Sequence, residues 1–377
     1  MTPSRWLFFT GAITAAATSI FSTELNWVRT LFACCIPLFL YIRWRPGLRG
    51  IFWATALVAA LALRIQLAEA VLPEPPTIAW VTNVREGFVG QLIAAMPERE
   101  ARLGAGMLLG DVAEPAKDLV QSFRRAGINH LLAVSGGNLA VILTFISLLG
   151  ARQWSRTTNV VVVLLVAPAF SLLTNVEASI LRASVMAVLT VLVQRLGRPA
   201  QAMNVLVAAV LLLVWVWPGL LWESVGFQLS LAATFGLVAF SMPLQHTLQR
   251  HIPKSIAAVL AATLGATLAT LPPSLVTFGQ VSLIGPVVNI VVVPLVPLVM
   301  ACVGVVAGTS LLVPFVAPYV GAAAWAVLHA ITVVVAYASR LPAASMLLPP
   351  SAALIFAAII TIASLWFFRQ YVRPHFD

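Results

Sequence analysis

The sequence predicts an all-α polytopic membrane protein with about 12 transmembrane or re-entrant helices and with both termini in the cytoplasm. Two observations indicate this class. Of the 377 residues, 61% are hydrophobic and only 9% are charged, which is more apolar surface than a soluble domain of this size needs. In addition, the basic residues cluster in alternate loops between apolar segments, as expected for a chain that crosses a membrane repeatedly.

A membrane-crossing helix needs about 20 predominantly apolar residues. Segments of roughly this kind recur along the whole chain, at 6–21, 28–42, 51–71, 129–150, 158–174, 178–194, 203–217, 227–242, 256–271, 284–308, 312–338 and 351–368. The region from 284 to 338 is the least regular, because Pro286, Pro294 and Pro297 predict a re-entrant or broken helix there.

The loops determine the predicted orientation. Basic residues precede the first segment and follow every second one except the tenth, at Arg5, Arg43, Arg45, Arg49, Arg152, Arg156, Arg195, Arg198, Arg250, Lys254, Arg369 and Arg373. Because cytoplasmic loops carry the excess of Lys and Arg, this pattern places these clusters inside the cell. We therefore divide the chain into N-terminal transmembrane helices (1–71), a short extracytoplasmic segment with amphipathic helices (72–128), and a core transmembrane domain (129–370).

The composition indicates neither a metal site nor a disulfide. The net charge of +10 would suggest nucleic-acid binding in a soluble protein, but here it first reflects topology. The three cysteines, Cys34, Cys35 and Cys302, lie in apolar runs and are expected to be small buried side chains. The five histidines show no metal-ligand spacing, so we expect no metal and no cofactor.

Residues 127–141 are the most unusual part of the chain. They read Gly-Ile-Asn-His-Leu-Leu-Ala-Val-Ser-Gly-Gly-Asn-Leu-Ala-Val and place polar groups inside a predicted membrane helix. Polar groups in hydrocarbon cost free energy unless they are paired within the protein, and the two adjacent glycines weaken the helix. One interpretation is the lining of a buried polar path. The other is a helix-packing motif, in which small residues allow close approach and Ser and Asn bond across the contact.

The segment from Gly106 to Asn138 resembles the ComEC competence-protein family. Gly106-Met-Leu-Leu-Gly-Asp111 is followed by Phe123, Gly127 and the run His130-Leu-Leu-Ala-Val-Ser-Gly136. The resemblance extends over about residues 100–310, through 181–183, 195–198, 227–230, 272–279, Asn289 and Pro294. The chain departs from the usual pattern at Gly137-Asn138, where family members most often have Leu-His. It also shows neither the OB-like nor the metallo-β-lactamase-like domain that larger members carry.

The resemblance implies a channel that passes single-stranded DNA across the bacterial cytoplasmic (inner) membrane during natural transformation. It also implies an extracytoplasmic DNA receptor and a cytoplasmic translocating ATPase as partners, and a homo-oligomer is an open alternative to a monomer. With no nuclease or ATPase motif in the chain, we expect no enzyme activity. Because a charge at the bilayer centre costs about 2.5–3.5 kcal/mol, neutral polar side chains and backbone groups should form most of the path.

The candidate path and DNA-binding residues are those of the polar segment together with four further positions: His130, Ser135, Gly136, Gly137, Asn138, Arg182, Gln228, Ser230 and Asn289. Arg182 is expected either to contact phosphate as a bidentate donor or to snorkel to the interface. The assignment of Gln228 to the path rests mainly on the resemblance. The alternative is that its side chain forms an interhelical hydrogen bond. We assign Asp111, Arg124 and Arg125 to the outer mouth, where a solvated surface of mixed charge is the alternative.

Two other functions stay open at the level of sequence. A transporter or flippase of another solute could use the same scaffold, because a fold does not fix a substrate. An intramembrane serine protease would use Ser135 with His329 as base and Asn138 as oxyanion donor. Against the protease, residue 133 is alanine rather than the glycine that such enzymes usually have two positions before the serine.

Overall fold

The computed structural model describes residues 79–110, 116–132, 134–150, 154–217, 219–341 and 344–367. The first three predicted spans (6–21, 28–42 and 51–71) and the candidate mouth residue Asp111 lie outside these residues. The described part is helical apart from two three-residue strands. Together with the long apolar helices below, this confirms the predicted all-α multi-pass membrane class.

In the described ranges, no separate soluble domain interrupts the series of helices. The helices are α1 Ala79–Ala95, α2 Glu98–Leu109, α3 Lys117–Arg125, α4 Gly136–Gly150, α5 Arg156–Leu173, α6 Ala178–Arg195, α7 Ala202–Val216, α8 Leu220–Glu223, α9 Val225–Leu248, α10 Lys254–Phe278, α11 Gly285–Val292, α12 Val296–Leu312, α13 Ala317–Arg340 and α14 Pro350–Phe367. The strands are β1 Gln280–Ser282 and β2 Ser345–Leu347, which pair antiparallel with Gln280 opposite Leu347.

Five described segments are long and apolar enough to cross a membrane: α6, α9, α10, the stretch Gly285–Leu312, and α13. Shorter apolar helices occur at α4, α5, α7 and α14. Each of them coincides with a segment that the sequence predicts, and most ends agree within a few residues. Their outward side chains are large and apolar, such as Leu165 and Ile362, each 66% exposed, as expected for surfaces that contact lipid rather than water.

The segment rich in proline is broken, as predicted. α11 ends at Val292, a 3-10 turn spans Val293–Leu295, and α12 continues from Val296. Pro294 lies in that turn and Pro297 in the first turn of α12. Proline lacks the N–H that an interior helical position donates, so the change of helix type at this point follows from the sequence.

The largest core lies between α1, α2, α3, α11, α12 and α13. α2 is the most enclosed element, since Ala101, Leu103 and Ala105 are completely buried. A Cβ at Gly104 would lie 3.0 Å from Cγ2 of Val303 on α12 and 3.2 Å from Cδ1 of Leu328 on α13. Part of the predicted extracytoplasmic segment is therefore packed against helices that are long enough to span the membrane.

A second group of helices carries the polar segment. α4, α5 and α6 pack together around Leu139, Ala167, Phe170 and Ile180. α6 also contacts α7 and α9, and α9 forms a long hairpin with α10. Four polar residues of this group, Ser135, Asn138, Arg182 and Ser230, lie just before or within the first two turns of α4, α6 and α9.

Candidate functional site

The polar segment forms the start of a helix rather than its interior. Asn129–Leu131 make a 3-10 turn, and α4 begins only at Gly136. The predicted span 129–150 therefore contains a break, and both glycines belong to the first turn of α4. The backbone N–H groups of Gly136 and Gly137 have no partner within the helix, so they are available to another acceptor.

Asn138 fixes this helix start to α2. Its Nδ2 donates to the backbone carbonyl of Met107, and its Oδ1 accepts from the Ser135 hydroxyl at 3.1 Å. The backbone N–H of Asn138 also donates to the Ser135 carbonyl at 2.9 Å. Asn138 is buried, so each of these bonds satisfies a group that would otherwise cost free energy in an apolar setting.

The first turn of α4 lies directly on α6. A Cβ at Gly136 would be 2.9 Å from the Cβ of Ala183 and 3.2 Å from Nη2 of Arg182. A side chain at this position would collide with α6, so the close approach requires glycine. This contact combines the two interpretations of the sequence, because the glycine packs two helices and also brings a helix N-terminus next to a guanidinium.

Arg182 is the buried charge at the centre of this contact. Its side chain is 5% exposed. Nε and Nη2 donate to the hydroxyl of Ser230 on α9, at 3.1 and 2.8 Å, and Nη1 lies 3.0 Å from the sulfur of Met186. Ser230 also shares a hydrogen bond of 2.9 Å with Ser179 of α6. The snorkelling alternative does not describe this side chain, because it is enclosed between helices rather than extended to a surface.

The partners of Arg182 are all neutral. The ion pairs Arg99–Asp118 and Arg102–Glu98 and the hydrogen-bonded pair His329–Glu100 do not involve Arg182. A buried cation without a carboxylate is costly. Arg182 lies beside the start of α4 and within the first two turns of α6, and its partner Ser230 lies within the first two turns of α9. Helix N-termini carry positive partial charge, so an anion placed at this position would be stabilised.

The turn that leads into α6 has an unusual backbone. Asn175 and Val176 have φ of 56° and 53°, in the left-handed region that β-branched residues rarely adopt. The turn is held by the N–H of Val176, which donates to the carbonyl of Ser171 at 2.8 Å, and by the hydroxyl of Thr174. A strained turn of this kind costs of order 1–3 kcal/mol, and here it sets where α6 begins.

The remaining candidates are distributed around this site. Gln228 is half-buried in the first turn of α9, on the same helix as Ser230. His130, Arg124 and Arg125 are exposed, in the 3-10 turn and at the end of α3. Asn289 is buried on α11 beside Val288 in the other core, and its Oδ1 has no hydrogen-bond partner among the described atoms. The structure thus joins Ser135, Gly136, Asn138, Arg182 and Ser230, and it places Asn289 apart from them.

Two contacts were not predicted from the sequence. The carbonyl of Met107 acts through the backbone, which leaves no side-chain signal. The carboxylate of Glu100 lies 3.1 Å from Nδ1 of His329, although the sequence analysis placed Glu100 in an extracytoplasmic segment. Ser135 bonds Asn138 and His329 bonds Glu100, so in the described chain these two residues do not form the serine–histidine pair of a protease.

Comparison with known proteins identifies the family. A profile of the competence protein family, described as "Competence protein", matches residues 107–372, which is well over half of the chain. The chain belongs to the competence protein family. The match confirms the resemblance that residues 106–138 indicate, and it includes every candidate site residue from Asp111 to Asn289.

One curated relative illustrates the extent of the similarity. ComE operon protein 3 of Bacillus subtilis (strain 168) is 25% identical over 215 residues, which are 57% of this chain and 27% of the relative. The chain therefore spans about a quarter of the length of that relative. No solved structure matches the chain significantly.

Proposed function

We propose that this competence-family chain forms the conduit through which single-stranded DNA crosses the bacterial cytoplasmic membrane during natural transformation. Family membership and similarity to ComE operon protein 3 support a place in competence. The long apolar helices support a route across a membrane. In this proposal the chain transports DNA without catalysing a reaction, and a DNA receptor outside and a translocating ATPase inside are its partners.

The observation that carries the proposal is the buried guanidinium of Arg182 with only neutral partners. A DNA strand carries one phosphate charge per nucleotide, and a guanidinium binds phosphate with two parallel hydrogen bonds. Ser230 and Met186 occupy its donors in the absence of an anion. An arriving phosphate would replace these weak partners and would gain the N–H groups at the start of α4.

The side chains that bond the guanidinium of Arg182 are neutral, namely Ser230 and Met186, and Ser179 in turn bonds Ser230. A carboxylate lies in the same region, because Oε1 of Glu177, the residue before α6, would be 3.6 Å from a Cβ at Gly226 on α9. A single cation among neutral groups binds one phosphate at a time and releases it, whereas several arginines would hold the strand too tightly to let it pass. This arrangement therefore suits a DNA strand that moves past Arg182 rather than one that stays bound to it.

The test is entry of labelled DNA into cells in which this gene is deleted and then restored. We expect deletion to stop labelled strand from reaching the cytoplasm. Wild type and Arg195→Gln, which changes an exposed arginine at the far end of α6, should restore entry. Arg182→Ala and Asn138→Leu, at equal protein levels, should not. Unchanged entry in both of these variants would refute the conduit.

The same assay separates the other functions. If deletion leaves DNA entry intact, transport of a different phosphate-bearing solute on the same scaffold becomes the better explanation. Ser135→Ala tests the protease. An intramembrane protease would lose all turnover without its nucleophile, whereas a conduit would lose one hydrogen bond to Asn138, worth about 1 kcal/mol, and should keep most DNA entry.

A further inference from the structure

Glu100 is a buried carboxylate in the core of the membrane domain. Its side chain is 7% exposed, and its hydrogen bond joins Oε1 to Nδ1 of His329 on α13 at 3.1 Å. His329 is 49% exposed on its other side and stacks on Trp325, with ring centroids 5.1 Å apart. Ionisable residues within membrane helices are costly and are therefore functional candidates by default.

The surroundings of this pair are almost free of other charge. Next to Glu100, Arg99 pairs with Asp118 and Arg102 pairs with Glu98, all on exposed side chains. α11 and α12 carry no charged residue. The other charged residues on the described helices that pack against α2 or α13, or on α13 itself, are Arg85, Glu86, Lys117, Arg124, Arg125 and Arg340. None of these six forms an ion pair with Glu100 or His329 in the described ranges.

Glu100 and His329 together can hold or release a single proton. With one proton bound, the pair is neutral overall, either as carboxylate beside imidazolium or as carboxyl beside imidazole. When that proton leaves, one negative charge remains among buried apolar residues, and no cation of the described residues forms an ion pair with it, so the contact between α2 and α13 would weaken. Histidine is the side chain whose charge ordinarily changes near neutral pH, and the side of His329 that faces away from Glu100 is not enclosed by the described helices.

α2 connects this pair to the polar segment. Met107, whose carbonyl accepts from Asn138, lies two turns after Glu100 on the same helix, about 10 Å along the axis. Because the same short, enclosed helix makes both contacts, a change in its contact with α13 would act on the bond from Asn138 to Met107 and so on the start of α4.

We infer that Glu100 and His329 form a proton-binding site that controls, through α2, the anion site at Arg182. The proton is the ligand, and the bond from Asn138 to Met107 is the connection. Control of the Arg182 site rests on the proposed function. Proton binding by Glu100 and His329 rests only on the geometry of α2 and α13.

The test uses the full chain in nanodiscs of phosphatidylcholine and phosphatidylglycerol, titrated from about pH 5 to about pH 9. Trp325 reports the pair, because a charge that appears on a stacked ring changes indole emission. We expect a step in emission for wild type that is absent from Trp325→Phe and His329→Gln and that is shifted along the pH axis in Glu100→Gln, where the stacked imidazole has lost its carboxylate partner. Glu98→Gln, on the exposed side of α2, should keep the step. Monodisperse elution of each variant establishes that it is folded.

In the same samples, binding of a labelled single-stranded oligodeoxythymidine measures the coupling. We expect wild-type affinity to fall at least fivefold across the emission step and the affinity of Glu100→Gln to stay constant with pH. A wild-type emission curve without a step, or one unchanged in Glu100→Gln, overturns the proton site. A normal step with affinity independent of pH overturns the coupling. A normal step without oligonucleotide binding at any pH counts against the conduit and leaves the proton site standing.

Discussion

At the scale of single residues, the candidate site depends on a charge that does not stabilise the fold. Arg182 is enclosed by Gly136, Ser230 and Met186, none of which can neutralise it. Desolvating an ion costs several kcal/mol, and neutral hydrogen bonds recover only part of that. A residue retained for packing would be apolar here, so Arg182 is better explained by a ligand that is anionic.

This reasoning predicts opposite effects of Arg182→Met on stability and on transport. The unbranched methionine fills most of the same space without a charge, and Ser230 keeps its bond to Ser179. We expect the melting temperature of the purified protein to stay the same or to rise, by the equivalent of about 1 kcal/mol, while DNA entry falls at least tenfold.

Thermal unfolding in detergent and DNA entry in cells measure these two effects. Ser184→Ala is the matched control, since Ser184 is buried on the same helix and bonds Ser171. It should lower stability by about 1 kcal/mol and leave entry unchanged. A large loss of stability in Arg182→Met would instead make Arg182 a structural residue.

The sequence predicted the members of this site better than it predicted their contacts. Asn138 and Ser135 stood out because polar groups interrupt an apolar run, and Arg182 stood out because the family resemblance includes residues 181–183. The bond between Arg182 and Ser230 joins positions 48 apart in the chain, and no local pattern encodes such a distance. The Met107 carbonyl could not be predicted, because backbone acceptors occur at every residue.

At the scale of elements, the α9–α10 hairpin is held by a contact between two glycines. A Cβ at Gly236 would lie 2.1 Å from the carbonyl oxygen of Gly265, and a Cβ at Gly265 would lie 2.9 Å from the carbonyl oxygen of Gly236. Because lipid tails are as apolar as the helix surfaces, burial of apolar area does not drive helices together in a membrane. Close packing of helix backbones contributes instead. α9 carries Ser230, so this contact also positions the candidate site.

Gly236→Ala is therefore expected to destabilise the protein by about 1–3 kcal/mol, because a backbone atom cannot move aside as a flexible side chain would. The matched control is Gly304→Ala on α12, where an added Cβ meets no atom within 4 Å. Alanine there should be neutral or stabilising by about 0.5–1 kcal/mol, since it favours the helix. Thermal unfolding of the two variants in the same detergent compares them; equal effects would show that the glycine contact is unimportant.

The ends of helices could be predicted where prolines mark them. They could not be predicted where contacts between residues distant in the sequence determine them. Pro294 and Pro297 predicted the break before α12 correctly. The start of α4 was predicted seven residues too early, at 129, because Leu131 and Leu132 continue the apolar pattern. Those residues pack against the core around α2 rather than extending the helix, and hydrophobicity does not distinguish these two forms of burial.

At the scale of the whole molecule, the account depends on which face of the membrane holds the starts of α4, α6 and α9. The three helices begin on the same side, because Gly136, Arg182 and Ser230 meet. The positive-inside rule places this side outside the cell, and this orientation stays a prediction. An anion site at that face would meet DNA on entry rather than on exit.

Accessibility of two engineered cysteines tests the orientation, in a chain with Cys34, Cys35 and Cys302 replaced by alanine. Gln121 on α3 and Gln201 before α7 are both exposed. We expect a membrane-impermeant maleimide to label Gln121→Cys in intact cells and Gln201→Cys only after permeabilisation. The opposite labelling pattern would place the Arg182 site at the cytoplasmic face.

The measurement that most directly tests the central claim is photo-cross-linking to labelled DNA during uptake. A p-benzoylphenylalanine replaces Gly137, which is exposed beside Ser135 at the start of α4, or, as a control, Leu165 on the outward face of α5, 66% exposed. If the strand passes the Arg182 site, it should cross-link to position 137 and not to position 165. Continued DNA entry without any cross-link at position 137 would contradict the account.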